Sequence, residues 1–168
     1  MTLLCWEGYK RGLSWAESKI LAEQANERAD QKLTETQRVR LLPGVQALLD
    51  QCKAMNVPIG IVTADETYMA KKQLEWLGIE SYFTVCIGTD QVKRGKPFKD
   101  MVLLACKQMS VKPSSVVIIG DTAGDMIMAK NAGAALAVIF DIHNNIPPEQ
   151  FPDADIIISS YAELEITK

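Results

Sequence analysis

From Pro43 onward the chain alternates short runs of Val and Ile with stretches of helical period, and few folds accept that order. Val45, Leu48, Leu49, Cys52 and Met55 recur at helical spacing until Asn56-Val57-Pro58 stops the run. Ile59-Gly60-Ile61-Val62 is a short apolar run ending at Thr63, followed by a helical stretch from about Glu66 to Leu77 with Gly78 in the C-terminal capping position. The order repeats, with Tyr82 to Ile87 as strand, Pro97 to Met109 as helix, Val116 to Ile119 as strand and Asp125 to Asn131 as helix. Ala135 to Phe140 and Asp155 to Ile158 add two strands. Runs this apolar belong to strands covered on both faces, so the pattern predicts an α/β fold, a Rossmann-like parallel sheet sandwiched by helices.

Residues 1–42 read differently, as polar helical sequence. Ser14-Trp15-Ala16-Glu17 is a capping box, Thr34-Glu35-Thr36-Gln37 is a second candidate, and the segment is expected to form two helices. A chain of 168 residues, 48% hydrophobic and 23% charged, can bury a core, which excludes intrinsic disorder. Eighteen Lys and Arg against 21 Asp and Glu leave a net charge of -3, too little positive field for nucleic acid or an acidic membrane, so any anionic ligand must meet a local site. The cysteines, Cys5, Cys52, Cys86 and Cys106, are far apart and form no CxxC, which points away from a zinc cluster or disulfide scaffold and towards a cytoplasmic location. Glu7, Lys10, Arg11 and Glu17 interrupt the first turns where a signal peptide would be apolar, and no run reaches bilayer length. With His143 the one histidine, carboxylates, hydroxyls and lysines must carry any chemistry.

In such a sheet, ligands bind beyond the carboxyl ends of the strands. The run Val116 to Ile119 leads into Gly120-Asp121-Thr122-Ala123-Gly124-Asp125, two carboxylates four apart where a strand turns into a helix. Both can reach one hard cation, and Mg2+ takes one or two carboxylates while a substrate phosphate completes its shell. The plainer alternative is that Thr122 caps the helix and Asp125 complements its N-terminus without any ligand. Thr63 closes the first apolar run with a hydroxyl, and Lys96-Pro97 offers a cation after the next strand. Thr, Lys and two Asp at one sheet edge make a phosphoryl site.

These residues, in this order, resemble the haloacid dehalogenase superfamily, most closely its phosphoglycolate phosphatase-like members with a helical cap. Ile61-Val62-Thr63 resembles the family's second motif, Arg94-Gly95-Lys96-Pro97 the third, and Gly120-Asp121-Thr122-Ala123-Gly124-Asp125 the fourth. Leu42-Pro43-Gly44-Val45 resembles the return from cap to core, and Gly12 to Ser18 the middle of the cap. The resemblance implies a partial helical cap over residues 1–42 and a core over 43–168. It further implies Mg2+-dependent hydrolysis of a small phosphorylated metabolite. Thr63, Ala64 and Lys96 would hold the phosphoryl group, Lys96 and Thr63 would assist catalysis, and Asp121 and Asp125 would bind the metal. The family's first motif, Asp-x-Asp on the central strand, has no counterpart, because no Asp precedes Asp30. The chain therefore reads as beginning inside the cap and as inactive by itself. The runs near Ile59 to Val62 and Val116 to Ile119 are then expected to flank an empty slot, filled by Thr2 to Trp6 of this chain or a partner, or by a complementing N-terminal segment.

Other readings stay open. Thr2 to Leu4 as the central strand would put Cys5-Trp6-Glu7 in place of Asp-x-Asp. Cys5-Trp6-Glu7-Gly8-Tyr9-Lys10-Arg11 also spells the loop of cysteine-based phosphatases, with Cys5 as thiolate nucleophile and Arg11 gripping phosphate. A regulatory module that binds phosphate and Mg2+ without turnover is a further alternative. A receiver domain fits worse, since its acidic pair comes first in the chain. His143 reads as a surface residue of the polar loop Asp141 to Asn145, Lys10 and Arg11 as solvated charges, and Trp6, Trp15 and Trp76 as packing residues.

Overall fold

The computed structural model describes residues 2–143 and 147–167 and divides into two compact units, Met1–Val39 and Arg40–Lys168. The first is a helical hairpin of α1 (Thr2–Lys10) and α2 (Trp15–Thr36). Ser14 caps α2 as expected: the Glu17 N–H donates to Ser14 Oγ, and the Ser14 N–H donates back to the Glu17 carboxylate at 2.8 Å. The second candidate box does not form. Thr34 lies in the last turns of α2, where its hydroxyl donates to the Asp30 carbonyl four residues back, and no breaker precedes it to start a new helix.

The expectation of a strand at Thr2 to Leu4, or of Thr2 to Trp6 pairing into a slot, is overturned: these residues open α1. Leu, Glu and Lys favour helix and the segment holds no β-branched run, so propensity wins. The tryptophans at 6 and 15 also depart from expectation. Trp6 and Trp15 are half exposed; Trp6 stacks on Tyr9 at a ring-centroid distance of 5.8 Å and Trp15 meets Tyr9 edge-on at 6.4 Å, because a two-helix hairpin has no deep interior to receive them. Trp76, in the second unit, is half-buried.

The second unit runs α3 (Val45–Ala54), β1 (Ile59–Val62), α4 (Thr67–Leu77), β2 (Phe83–Ile87), α5 (Asp100–Met109), β3 (Val117–Gly120), α6 (Ala123–Ala132), β4 (Leu136–Phe140) and β5 (Ile156–Ile158). It begins at Arg40 because Leu41 and Leu42 already pack into its core clusters. Helix α5 starts three residues later than its sequence pattern, since Gly95 to Phe98 forms a turn closed by the Phe98 N–H on the Gly95 carbonyl at 3.0 Å. Gly78 ends α4 in the left-handed conformation, φ 69°, that a residue with Cβ adopts at a cost.

All strand pairs are parallel, as Val and Ile runs covered on both faces require. Alternate residues face opposite layers. Val62, Val85, Ile87 and Ile118 pack against α5 and α6 around Met101, Val102 and Met128. Ile59, Ile61 and Phe83 turn the other way, onto α3 and α4 around Leu49 and Leu74. The pairing, however, stops in the middle. Strand β1 pairs with β2, and β3 with β4 and β4 with β5, but among the described residues β1 and β3 do not pair. Between them runs a groove of about 550 Å3, lined by both strands along their whole length and by Val45, Leu48 and Leu49 of α3.

Candidate functional site

The turn from β3 into α6 sets the chemistry at one end of this groove. Thr122 is the N-cap of α6: the Asp125 N–H donates to its hydroxyl oxygen, and the Thr122 N–H donates to Asp125 Oδ2 at 3.1 Å. The Thr122 hydroxyl donates to the same Oδ2 at 2.6 Å. Asp125 therefore has the capping role that the plainer reading assigned it. It also does more, because it is buried at 3% exposure and its other oxygen, Oδ1, meets Lys96 Nζ at 2.6 Å. Gly120 makes this geometry fit: a Cβ there would lie 2.4 Å from Asp125 Cβ and Cγ. Burial pushes the Asp125 carboxyl up, but the hydrogen bonds from Lys96 and Thr122 and the charge of Lys96 outweigh it and hold the group below the ordinary aspartate range.

Lys96 is placed by its loop. Arg94 grips Asp100 with two hydrogen bonds, at 3.1 Å and 2.9 Å, and lies over the Phe98 ring. Asn131 of α6 donates to the Pro97 carbonyl at 3.1 Å. One helix thus supplies both the carboxylate that Lys96 meets and an anchor for the backbone beside it. Asp121 lines the same groove but is exposed, and among the described residues its carboxylate has no ion-pair or hydrogen-bond partner.

Thr63 closes β1. Its N–H donates to the Ile87 carbonyl at 3.0 Å, and its hydroxyl oxygen accepts from the Asp65 N–H at 3.1 Å, which leaves the hydroxyl proton to donate elsewhere. Among the described residues the Ala64 N–H makes no hydrogen bond. Lys96 and Asp125 are thus in direct contact and Asp121 shares their groove, while Thr63 and Ala64 stand at the end of β1 without a bond to the other three.

Two further features escaped the sequence reading. Asp90 Oδ1 accepts from the Thr67 N–H at 2.7 Å and the Thr67 hydroxyl at 2.8 Å, which fixes the start of α4 just beyond Ala64 and holds the Asp90 carboxyl below its ordinary range. Tyr161 lines the groove and stacks on Phe140 at 4.6 Å; burial, and then the charge of Asp121, raise its phenol above the ordinary value. Tyr161 lies beyond the last strand, and no local pattern ties it to Asp121.

The donor chemistry suits a hard cation. Among the described residues no group of three or more His, Cys, Asp and Glu is set to hold a metal, but Mg2+ needs only one or two carboxylates when substrate oxygens complete its shell. Asp121 brings a free carboxylate, and Asp125 a second whose oxygens already accept from Lys96 and Thr122.

The cysteine-phosphatase reading fails. Cys5 to Lys10 is α-helical, so its N–H groups are spent within the helix instead of cradling an anion, and Cys5 is buried at 4% exposure. Gly8, which that reading placed in a loop, is the close-approach point of the hairpin: a Cβ there would sit 2.7 Å from Ser18 Oγ. Arg11 and Lys10 are exposed, Lys10 pairing with Glu7 at 2.5 Å. All four cysteines are free thiols. His143 is exposed, its N–H bonded to Asp141; Asn144 and Asn145 of its loop lie outside the described residues. No described helix is long and apolar enough to cross a membrane.

Comparison with known proteins adds a family. Residues 10–139 match the sequence profile described as haloacid dehalogenase-like hydrolase. The chain is 32% identical over 124 residues to the phosphoglycolate phosphatase of Escherichia coli K12, covering 74% of this chain and 49% of that protein. It is 31% identical over 121 residues to the validoxylamine A 7'-phosphate phosphatase of Streptomyces hygroscopicus subsp. limoneus, covering 72% and 55%. The chain spans about half the length of the curated relatives it matches. Among solved structures, a predicted phosphoglycolate phosphatase from Haemophilus somnus 129PT superposes with a TM-score of 0.77 at 23% identity, over 95% of this chain and 71% of that one. That likeness carries the fold alone.

Proposed function

The chain belongs to the haloacid dehalogenase-like hydrolase family, and from that premise we propose that it binds the phosphoryl group of a small phosphomonoester, with Mg2+, at the carboxyl edge of its sheet. The observation that carries the reading is the Lys96–Asp125 contact at the mouth of the groove, beside the unpartnered carboxylate of Asp121. Lys96 has three N–H donors and gives one to Asp125, so two remain for phosphoryl oxygens. Thr63 offers its hydroxyl proton, and Ala64 its N–H, from the end of β1. Asp121 and Asp125 would hold the cation, which when bound neutralises charge on the transferring phosphoryl group.

The same groups argue that residues 1–168 turn over an ester poorly by themselves. Lys96, Thr63 and Ala64 position and neutralise; they do not attack phosphorus. Asp125 already accepts from Lys96 and Thr122 and, with Asp121, is assigned to the cation, so this set has no activated nucleophile to form a phospho-enzyme. The relatives' names carry two unlike phosphate esters, which fits a shared phosphoryl site whose organic leaving group is selected elsewhere.

Isothermal titration with Mg2+ and then inorganic phosphate tests the site. Binding is expected in the chain as it stands and is expected to be lost in the Asp121→Ala, Asp125→Ala double variant. Equal Mg2+ binding in both proteins would sink the metal assignment. Release of p-nitrophenol from its phosphate ester at rates typical of enzymes, ~1 per second or more, would overturn the claim of poor turnover.

A further inference from the structure

Thr63 and Ala64 make no bond to Lys96, yet a phosphoryl group held by all three needs their donors in a fixed geometry. One stretch of chain connects the two places. Residues 88–91 leave β2, turn against the peptide 64–67 and run on through Val92 to Lys96. The Gly88 N–H donates to Thr67 Oγ1 at 3.1 Å, the Thr89 N–H to the Asp65 carbonyl at 3.0 Å, and Gln91 Nε2 to Thr67 Oγ1 at 2.6 Å. In the other direction, the Thr67 N–H and hydroxyl both donate to Asp90 Oδ1. The Thr67 hydroxyl therefore gives its one proton and accepts two, which leaves it nothing for a ligand. Gly88 lets the two backbones come this close: a Cβ there would lie 2.5 Å from Asp90 Oδ1 and 2.8 Å from the Asp65 carbonyl oxygen. Beyond this grip Val92 packs on the α5 cluster and Asp100 holds Arg94, which carries the constraint on to Lys96.

Asp90 is the odd member of this set. It is exposed, and by charge alone a carboxylate beside a loop that holds an anion opposes binding. What it supplies is the cap that α4 lacks. Glu66, the N-cap of α4, makes no side-chain bond to the helix. The first helical N–H, that of Thr67, is met instead by Asp90, 23 residues further along the chain. The peptide so pinned is the one that carries Ala64, whose N–H makes no hydrogen bond among the described residues. It is held to β2 at Thr63, and to the 88–91 loop at Asp65 and Thr67.

We propose that Asp90 is a positioning residue for phosphate: it locks the peptide 64–67 onto the loop 88–91, so that Thr63 and Ala64 present their donors in register with Lys96. The inference rests on the phosphoryl site proposed above and gives that site a residue that acts through others. Its contribution by geometry outweighs the repulsion from its charge, so removing it weakens phosphate binding.

Titration of residues 1–168 with inorganic phosphate at saturating Mg2+ tests this, with the Mg2+ affinity of each protein measured separately. Asp90→Ala is expected to raise the phosphate Kd by on the order of tenfold, the loss of about one charge-assisted hydrogen bond, and to leave the Mg2+ Kd within about twofold of the native value. Asp90→Asn, which keeps the Oδ1 acceptor and drops the charge, should bind phosphate at least as tightly as the native chain. Thr67→Val, which keeps the N–H and the side-chain volume, should weaken phosphate binding in the same direction by a smaller factor. Tighter binding by both Asp90 variants would show that the carboxylate acts by charge, and unchanged binding in Asp90→Ala and Thr67→Val would show that it only caps α4; either result overturns the inference and leaves the phosphoryl site standing. Parallel losses of Mg2+ and phosphate affinity in Thr67→Val would overturn it as a folding effect. A native chain that takes up no phosphate would overturn the phosphoryl site and the inference together.

Discussion

Helices α2 and α6 start with the same reciprocal cap, and the two caps serve different ends. In α2, Ser14 and Glu17 exchange bonds on the surface, and both bonds that Ser14 donates end on a single oxygen, Glu17 Oε2. In α6, Thr122 and Asp125 make the same exchange through Asp125 Oδ2, but here the carboxylate is buried although Thr122 is exposed, and the remaining oxygen reaches Lys96 on another loop. The shorter acid keeps its carboxyl close to the backbone, and the missing Cβ of Gly120 lets it lie flat against β3. A capping box is thus a local device with no chemistry of its own. Burial and a distant cation turn it into part of a site.

That contrast can be broken most forcefully at Asp125. Replacing it with Ala should cost about 3 kcal/mol, because the cap is lost and Lys96 is stranded without its partner; urea denaturation followed by tryptophan fluorescence measures it, and a cost under about 1 kcal/mol would place Asp125 on a par with a surface cap. Gly120→Ala should come next, at about 1 to 3 kcal/mol for overpacking, and should also weaken Mg2+ binding, because the new methyl displaces the Asp125 carboxyl. Ser14→Ala should cost about 1 kcal/mol, confined to faster hydrogen exchange in the first turn of α2. The smallest effect is acid sensitivity. Asp125 is depressed in the folded state below its ordinary value of 3.8, so the unfolded chain binds the proton more readily; the stability it contributes is present above that value and is lost as pH falls through the folded-state value. Denaturation midpoints between pH 6 and pH 3 should fall more steeply for the native chain than for Asp125→Asn, and Glu17→Gln should leave the slope near that of the native chain.

The order of strands and helices in the second unit is legible because each Val and Ile run is bounded by Gly, Pro or a helical period, and those signals are local. The box at Ser14 is legible for the same reason. The box at Thr34 misleads, since Thr satisfies its hydroxyl equally well on the carbonyl of its own helix. Thr2 to Leu4 misleads because three apolar or branched residues suit a strand tip and a helix start alike. In the candidate site, Thr63, Lys96, Asp121 and Asp125 stand out as polar residues at the ends of apolar runs. The bond between Lys96 and Asp125 joins residues far apart in the chain, and the approach of Tyr161 to Asp121 depends on how the chain returns after β5. Such pairings follow from tertiary packing, which local pattern does not encode.

Because among the described residues no backbone ladder ties β1 to β3, the spacing between the two halves of the sheet is gauged by side-chain thickness. On one face Val62 and Ile118 rest on the same cluster, built on Met101, Val102 and Cys106 of α5. On the other, the consecutive residues Leu41 and Leu42 each press into a different cluster, one under β1 and one under β3. These side chains act as shims between two slabs. Thinning one of them should alter how far Thr63 stands from Asp121 without touching either residue, so the calibration of the carboxyl edge resides in a layer that never meets a ligand.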